Sequence, residues 1–279
     1  MKLISSISGI IHNYDAFLLD LWGVVHDGAQ LYEGVHETIS RLRATGKKIV
    51  FLSNAPRRAA RAGAVLSQLG IAPQLYDHIV TSGEVGHDWL VSGLVSSKAP
   101  WGKRYFFIGA EKDEDLLKDT DFEWVDNLQD ADFILNLGFG NDEQTSDDFT
   151  QILQEARELN LPMLCLNPDI EVIKISGERF PCAGVIARNY QEIGGEVTWF
   201  GKPYTAVYEH SCTLLGDIPK QKILAIGDGL ETDILGAKRF GVDCVLVTGG
   251  ILRGKTITEI EEICMRLAVR PNYIVPRFA

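Results

Sequence analysis

From Ala16 the chain reads AFLLDLWGVVHDG, an apolar run broken by one carboxylate and closed by Gly28. That is the pattern of a buried strand running into a loop, and it puts Asp20 at the strand's C-terminal end. VHETISRLRATG follows with Val35, Ile39 and Leu42 at helical spacing. Gly46 stands where a helix terminator belongs. KKIVFLSNAP reads as a second buried strand ending at Ser53 and Asn54, residues 57 to 69 as a helix with Leu66 and Leu69 on one stripe, and His78 to Ser82 as a third strand. Strands alternating with helices at this interval predict an α/β fold, a doubly wound parallel sheet with helices on both faces.

The C-terminal part repeats the rhythm, with VTWFGK, a helix from Thr205 to Leu215, ILAIGD, a helix from Glu231 to Phe240, and VDCVLVTG. Between these two blocks RYFFIGA, FEWV, ADFILNLG and PMLCLNP read as strands, with an acidic helical stretch near residue 115 and a longer helix near 148 to 159. Roughly 100 residues suffice for an independent unit. The division predicted is a core of residues 1–88 and 195–279 with an inserted α/β domain at 89–194. VSGLVSSKAPWGK, rich in Ser, Gly and Pro, reads as its hinge. No fixed-period repeat suggests a solenoid or propeller.

Composition narrows the function. The 279 residues carry 27 basic and 38 acidic side chains, a net charge of −11, which argues against a nucleic-acid groove or an anionic membrane surface as partner. With 46% hydrophobic and 23% charged residues the chain is ordinary globular material. Five cysteines without a CxxC pair, no signal-peptide pattern and no long uninterrupted apolar run read as a cytoplasmic protein with reduced thiols. A homo-oligomer is compatible with all of this.

In an open parallel sheet function gathers where strands end, and the polar residues ending the apolar runs are Asp20, Ser53 with Asn54, Lys202, and Asp228 with Asp233. Carboxylates suit a hard cation such as Mg²⁺, while a hydroxyl and a lysine suit phosphate oxygens. An aspartate beside a metal and a cation stays ionised and able to act as a nucleophile. EKDEDLLKD reads as a solvated helix face, and TGGILRG, lacking both common phosphate-loop patterns, as a turn.

DLWGVV (Asp20 to Val25), LSNA (Leu52 to Ala55), GKP (Gly201 to Pro203) and GDGLETD (Gly227 to Asp233) occur in an order that resembles the four motifs of the haloacid dehalogenase (HAD) superfamily. The long insert carrying LNPD (Leu166 to Asp169) and ending in FPCAGVIARNY is similar to its class IIA members, the NagD-type sugar, nitrophenyl and pyridoxal phosphate phosphatases. The resemblance implies a Rossmannoid core with a cap domain, and Mg²⁺-dependent hydrolysis of a small phosphorylated metabolite, a sugar phosphate among the options. It makes Asp20 the nucleophile and gives the phosphoryl oxygens to Ser53 and the Asn54 backbone, with Lys202 neutralising the charge. The metal would go to Asp20, Asp228 and the Trp22 backbone carbonyl, with Asp233 binding it directly or supporting its ligands. It also places the Asp169 loop over the active site as a substrate selector.

One departure is chemical. The family's phosphatases place a second Asp two residues after the nucleophile as general acid and base, and here Trp22 stands there. Indole exchanges no proton near neutral pH. Such a group contributes about 10² to 10⁴ in rate, so simple sugar phosphates should suffer most and acyl or aryl phosphates least. Trp22 either fills an apolar gap or stacks on a substrate ring. His26 is the nearest titratable side chain able to replace the acid, against the alternative of an exposed loop histidine, and Arg57 or Arg58 could touch an anionic substrate. An aromatic residue at this position also resembles the dehalogenases proper, but GDGLETD keeps the metal carboxylates that those do without. The rival reading is a phospholigand-binding pseudoenzyme that lost turnover with the second Asp.

Overall fold

The computed structural model describes residues 1–92, 101–173 and 178–279. The chain divides into two compact units, one of Met1–Ser53, Ala59–Val80 and Lys202–Ala279, the other of Asn54–Arg58 and Thr81–Gly201. Most of the segment read as a hinge lies outside the described residues.

The first unit is built on a seven-stranded sheet. In chain order its strands are β1 (Lys2–Leu3), β2 (Ala16–Leu19), β3 (Lys48–Ser53) and β4 (His78–Thr81), then β12 (Ile223–Gly227), β13 (Asp243–Val247) and β14 (Tyr273–Val275). Across the sheet they run β1-β14-β13-β12-β2-β3-β4. From β2 the chain winds outward to β4, returns to β12 on β2's other side, and winds outward again. The order therefore reverses between β2 and β12, which pair parallel with Leu19 beside Ile226. It is at such a reversal, beyond the C-terminal strand ends, that α/β sheets bind ligands.

Strand alternation sorts the side chains. Phe17 and Leu19 of β2, Ile49 and Phe51 of β3 and Ile226 of β12 join one buried cluster with Ile39 and Leu42 of α1 (Val35–Ala44) and Leu66 of α2 (Ala59–Gln68). The alternate residues Leu18, Val50 and Ala225 are equally buried, and α6 (Ala206–Leu215) and α7 (Leu235–Phe240) pack on β3 and β13. Gly46 ends α1 as its position predicts: at φ +75° its N–H bonds Arg43 O at 2.9 Å, and Lys47 N bonds Leu42 O at 3.1 Å. This closes the helix with the carbonyls its last turn leaves unpaired.

The second unit carries β5 (Arg104–Ile108), β6 (Glu123–Trp124), β7 (Phe133–Asn136), β8 (Met163–Cys165) and β11 (Val197–Trp199) in a parallel sheet of order β11-β8-β7-β5-β6, with a separate antiparallel hairpin of β9 (Glu171–Ile173) and β10 (Arg179–Pro181). One face packs on α4 (Thr150–Glu158) and α5 (Ala183–Glu192) through Leu153, Ile186 and Tyr190. On Phe133 Trp101 stacks at 5.3 Å, and Trp89 of α3 (Ser82–Ser92) meets Trp101 edge-on at 5.3 Å.

Three elements differ from the sequence reading. Residues 82–92 form α3, although Gly83 and Gly86 in SGEVGHDWLVS blur its apolar stripe, and the boundary read at 88/89 falls inside it. β11, read with the core, pairs with β8, Val197 beside Met163, so the first unit resumes at Lys202. The acidic stretch is a 3₁₀ helix, Glu111–Leu117, and is not wholly solvated, since Asp113, Leu116 and Leu117 are buried. All five cysteines are free. No described helix is long and apolar enough to cross a membrane.

Asp77, before β4, ties α1 to β3. Its Oδ2 accepts from Arg43 Nη1 at 2.7 Å and the Ile49 N–H at 2.8 Å, and its Oδ1 from Lys48 Nζ at 3.0 Å. Burial pushes this carboxyl up, but the Ile49 N–H, Lys48 and Arg43 outweigh it and hold it below its ordinary range. A depressed folded-state pKa stabilises above the unfolded value and is lost as pH falls through the folded one. Asp77→Asn is therefore expected to cost about 1 kcal/mol in urea unfolding at pH 7. The gap to wild type should close as pH drops below the ordinary aspartate range, and a gap constant with pH would contradict this.

Candidate active site

Asp20 is the first residue beyond β2 and Asp228 the first beyond β12, while Ser53 is the last residue of β3, the strand paired to β2's other side. Three adjacent strands thus end in two carboxylates and a hydroxyl at one sheet edge. Asp20 is anchored there by its own N–H, which donates to Ile226 O at 2.9 Å. Asp233 reaches the same edge from a π-type turn, Leu230–Ile234, whose wide ring is closed by Ile234 N to Gly229 O at 3.0 Å.

Lys202 joins them. Its Nζ donates to Asp20 Oδ1 at 2.6 Å and to Asp233 Oδ1 at 2.7 Å. Asp233 Oδ2 accepts from Gly229 N at 3.1 Å and Thr232 Oγ1 at 3.3 Å, so both of its oxygens are engaged. Asp20 Oδ2 has no hydrogen-bond partner among the described residues. Asp228 Oδ2 accepts the Ile251 N–H at 2.7 Å. One carboxylate oxygen from each of Asp20, Asp228 and Asp233 lies within 4.8 Å of the others.

Glycines make this approach possible. A Cβ on Gly23 would stand 2.0 Å from Asp228 Oδ2 and one on Gly250 1.9 Å from it, while one on Gly227 would stand 2.1 Å from Asp233 Cγ. The carboxylates are seated against bare backbone. Sequence reasoning missed Gly23, Gly250 and the Ile251 amide. TGGILRG is indeed a turn, but one that holds Asp228; its glycine pair after a strand and the glycine inside DLWG were the available signals.

Burial and the Asp233 and Asp228 charges raise the Asp20 pKa well above the aspartate range in the protein alone, with Lys202 opposing. Burial disfavours the Lys202 ammonium too, yet the Asp20 and Asp233 charges outweigh it and hold its pKa well above the usual lysine value. Three carboxylates thus gather at a buried strand edge where one ammonium meets two of them, so carboxyl groups outnumber the cation. All-oxygen donors with that excess fit a hard divalent cation.

Trp22 is 36% exposed, and a Cβ on Gly28 would stand 2.5 Å from its ring. His26 meets the indole edge-on at 5.9 Å. This histidine is buried, which corrects the exposed-loop alternative. Its Nδ1 accepts the Gly28 N–H at 3.0 Å, assigning its proton to Nε2, and burial lowers its pKa against the opposing charge of Asp27. It is neutral at pH 7.

The remaining candidates lie in the second unit. Asn54 Nδ2 donates to Asp169 Oδ1 at 2.8 Å. Arg57 Nε donates to Asp113 Oδ1 at 2.7 Å, and Arg58 forks onto Glu84 at 2.9 and 2.8 Å. Both guanidiniums read as substrate contacts are thus engaged by carboxylates of their own unit.

Comparison with known proteins agrees with the motif order. A family model described as haloacid dehalogenase-like hydrolase matches residues 17–123, and one described as HAD-hydrolase-like matches 199–279. The chain is 30% identical over 242 residues to the sugar-phosphatase AraL of Bacillus subtilis, covering 85% of each chain. A haloacid dehalogenase-like hydrolase from Brucella suis superimposes with a TM-score of 0.86 at 31% identity, covering 99% of this chain and 100% of that one. A glycerol phosphate phosphatase from Mycobacterium tuberculosis, solved in complex with calcium, gives 0.66 at 26% identity, covering 87% and 68%.

The glycine cradle makes a prediction. Gly250→Ala should push the Asp228 carboxylate off the Ile251 amide and weaken divalent-cation binding, measured by calorimetry, by about 10- to 100-fold with the circular dichroism spectrum unchanged. Wild-type affinity in this variant would show that the close approach is incidental.

Proposed function

The chain belongs to the haloacid dehalogenase superfamily, in its class IIA group of phosphatases, and from that premise we propose that it hydrolyses a small phosphorylated metabolite through an aspartyl phosphate at Asp20, with Mg²⁺ as cofactor. The observation that carries the reading is the Lys202 ammonium held between Asp20 Oδ1 and Asp233 Oδ1, which leaves Asp20 Oδ2 without a hydrogen-bond partner among the described residues. A sugar phosphate is the first substrate class to try, given the sugar phosphatase among the relatives.

Asp20 Oδ2 attacks phosphorus and the bond to the leaving oxygen breaks, giving the aspartyl phosphate. Lys202 neutralises charge on nucleophile and phosphoryl group, and Ser53 and the Asn54 backbone hold the phosphoryl oxygens. Water then attacks the acyl phosphate, releases phosphate and restores the Asp20 carboxylate, its protons balancing the leaving alkoxide. Asp20, Asp228 and the Trp22 carbonyl would hold the Mg²⁺, with Asp233 supporting them because both of its oxygens are already engaged. The cation supplies charge stabilisation on the phosphoryl oxygens. Selection of the organic group we assign to the Asp169 loop. Arg57 and His26 are the other candidates for that role, one held by Asp113 and the other accepting the Gly28 N–H.

Trp22 supports a second reading. With no proton donor two residues after Asp20, the leaving oxygen must depart without that help, and water must attack without that base. A binding protein that keeps the phosphate and metal contacts but turns over poorly would have the same site.

Phosphate release from alkyl, aryl and acyl phosphates, with and without Mg²⁺, separates the two. Wild type should turn over in a metal-dependent way, fastest with acyl and aryl phosphates, and Asp20→Asn should lower kcat by at least about 10³. Trp22→Asp should raise alkyl-phosphate turnover by about 10² to 10⁴. Wild type inert on every class while Trp22→Asp gains activity would overturn the enzyme reading in favour of binding.

A further inference from the structure

The first turn of α3 is bonded to two segments at once. The hydroxyl of Thr81, which precedes it, donates to Arg57 O and accepts the Glu84 N–H at 3.0 Å, so one side chain caps the helix and holds the 54–58 segment. The Gly83 N–H donates to Ala55 O at 3.2 Å, and a Cβ there would stand 2.3 Å from Arg57 N. Ser82, fully buried, has Ala55 O 3.0 Å from its Oγ and bonds Leu166 O as well. A hydroxyl has one proton to give. Ala55 O also receives the Gly83 N–H, so Leu166 O is the acceptor that depends on the Ser82 hydroxyl.

Leu166 opens the loop that ends in Asp169, and α3 also takes its side chain, since a Cβ on Gly86 would stand 2.2 Å from Leu166 Cδ2. Asp169 in turn accepts from Asn54 Nδ2. The 54–58 segment and the 166–169 loop are thus bonded to each other at Asn54 and Asp169, while the first turn of α3 holds the loop at Leu166 through Ser82 and the segment at Ala55 through the Gly83 N–H.

We propose that Ser82 is a positioning residue that holds these two segments in register, so that the Asn54 to Asp169 hydrogen bond forms and the selecting loop is fixed relative to the phosphoryl-holding backbone at Asn54. The assignment rests on the reading of Asn54 and Asp169 given above. Ser82 touches no substrate. It acts through the carbonyl of Leu166, beside the Gly83 N–H that holds Ala55, and its removal leaves the buried Leu166 carbonyl without its donor.

Ser82→Ala deletes one hydroxyl in a helix's first turn and is expected to fold. In hydrogen exchange, the amides of residues 166–169 should lose about tenfold in protection while those of α4 and of the helix Ile257–Arg266 keep theirs. With the best phosphate ester, KM should rise about tenfold and kcat change less than about threefold. On an Asp169→Ala background the same substitution should change KM by less than about twofold, because the bond it positions is already gone. A KM effect that multiplies fully on that background would mean a merely structural residue and overturn the proposal, as would unchanged exchange. A wild type without turnover would overturn the phosphatase reading and this role with it, whereas a wild type that turns over and a Ser82→Ala protein that behaves like it would overturn Ser82 alone.

Discussion

A single ammonium sets the terms of the sheet edge where β2 and β12 end. Lys202 is almost wholly buried, and burial of a lysine is tolerable only where opposite charge meets it at hydrogen-bond distance. Asp20 and Asp233 do so, and in doing so they fix one oxygen of each carboxylate. Much of the local architecture serves that meeting. The sheet reverses its order between β2 and β12, the π-type turn carries Asp233 round to the lysine, and the bare backbone of Gly227 clears the space Asp233 occupies, as Gly23 and Gly250 do for Asp228. Even so, the carboxylates outnumber the ammonium, and an all-oxygen donor set of that kind fits a divalent cation.

The turn after Asp20 shows what the site does without. Trp22 is backed by Gly28, and the Gly28 N–H occupies His26 Nδ1, so the indole and the imidazole are locked into one small assembly. A neutral buried histidine with one nitrogen committed is a poor stand-in for a carboxylic acid that must give and take a proton in each cycle.

In the second unit the two arginines that follow β3 are met by carboxylates of the same unit. Asp113 was legible only as part of an acidic run, yet it is buried under Arg57, and Arg58 is taken by Glu84. These pairs cost desolvation and repay it mainly by fixing geometry. What they fix is the segment leaving β3, and α3 extends the same hold to the loop of Asp169.

The residues the sequence marked were those whose meaning is local. Asp20, Ser53, Lys202, Asp228 and Asp233 each lie at or just beyond an apolar run, and Gly46 follows a helical stripe; period and position suffice to find them. Their spacing along the chain also sufficed to name a family, because the order of motifs is a property of sequence alone. Contacts across sequence distance were not legible. β11 sits beside β8 because inter-strand hydrogen bonds chose that partner, and VTW carries no mark of it. The amide of Ile251 finds Asp228, and the hydroxyl of Ser82 finds Leu166, across stretches that no periodicity spans. Residue type and spacing determined which groups could react; only the folded chain, by satisfying buried polar atoms one against another, decided which groups would hold them in place.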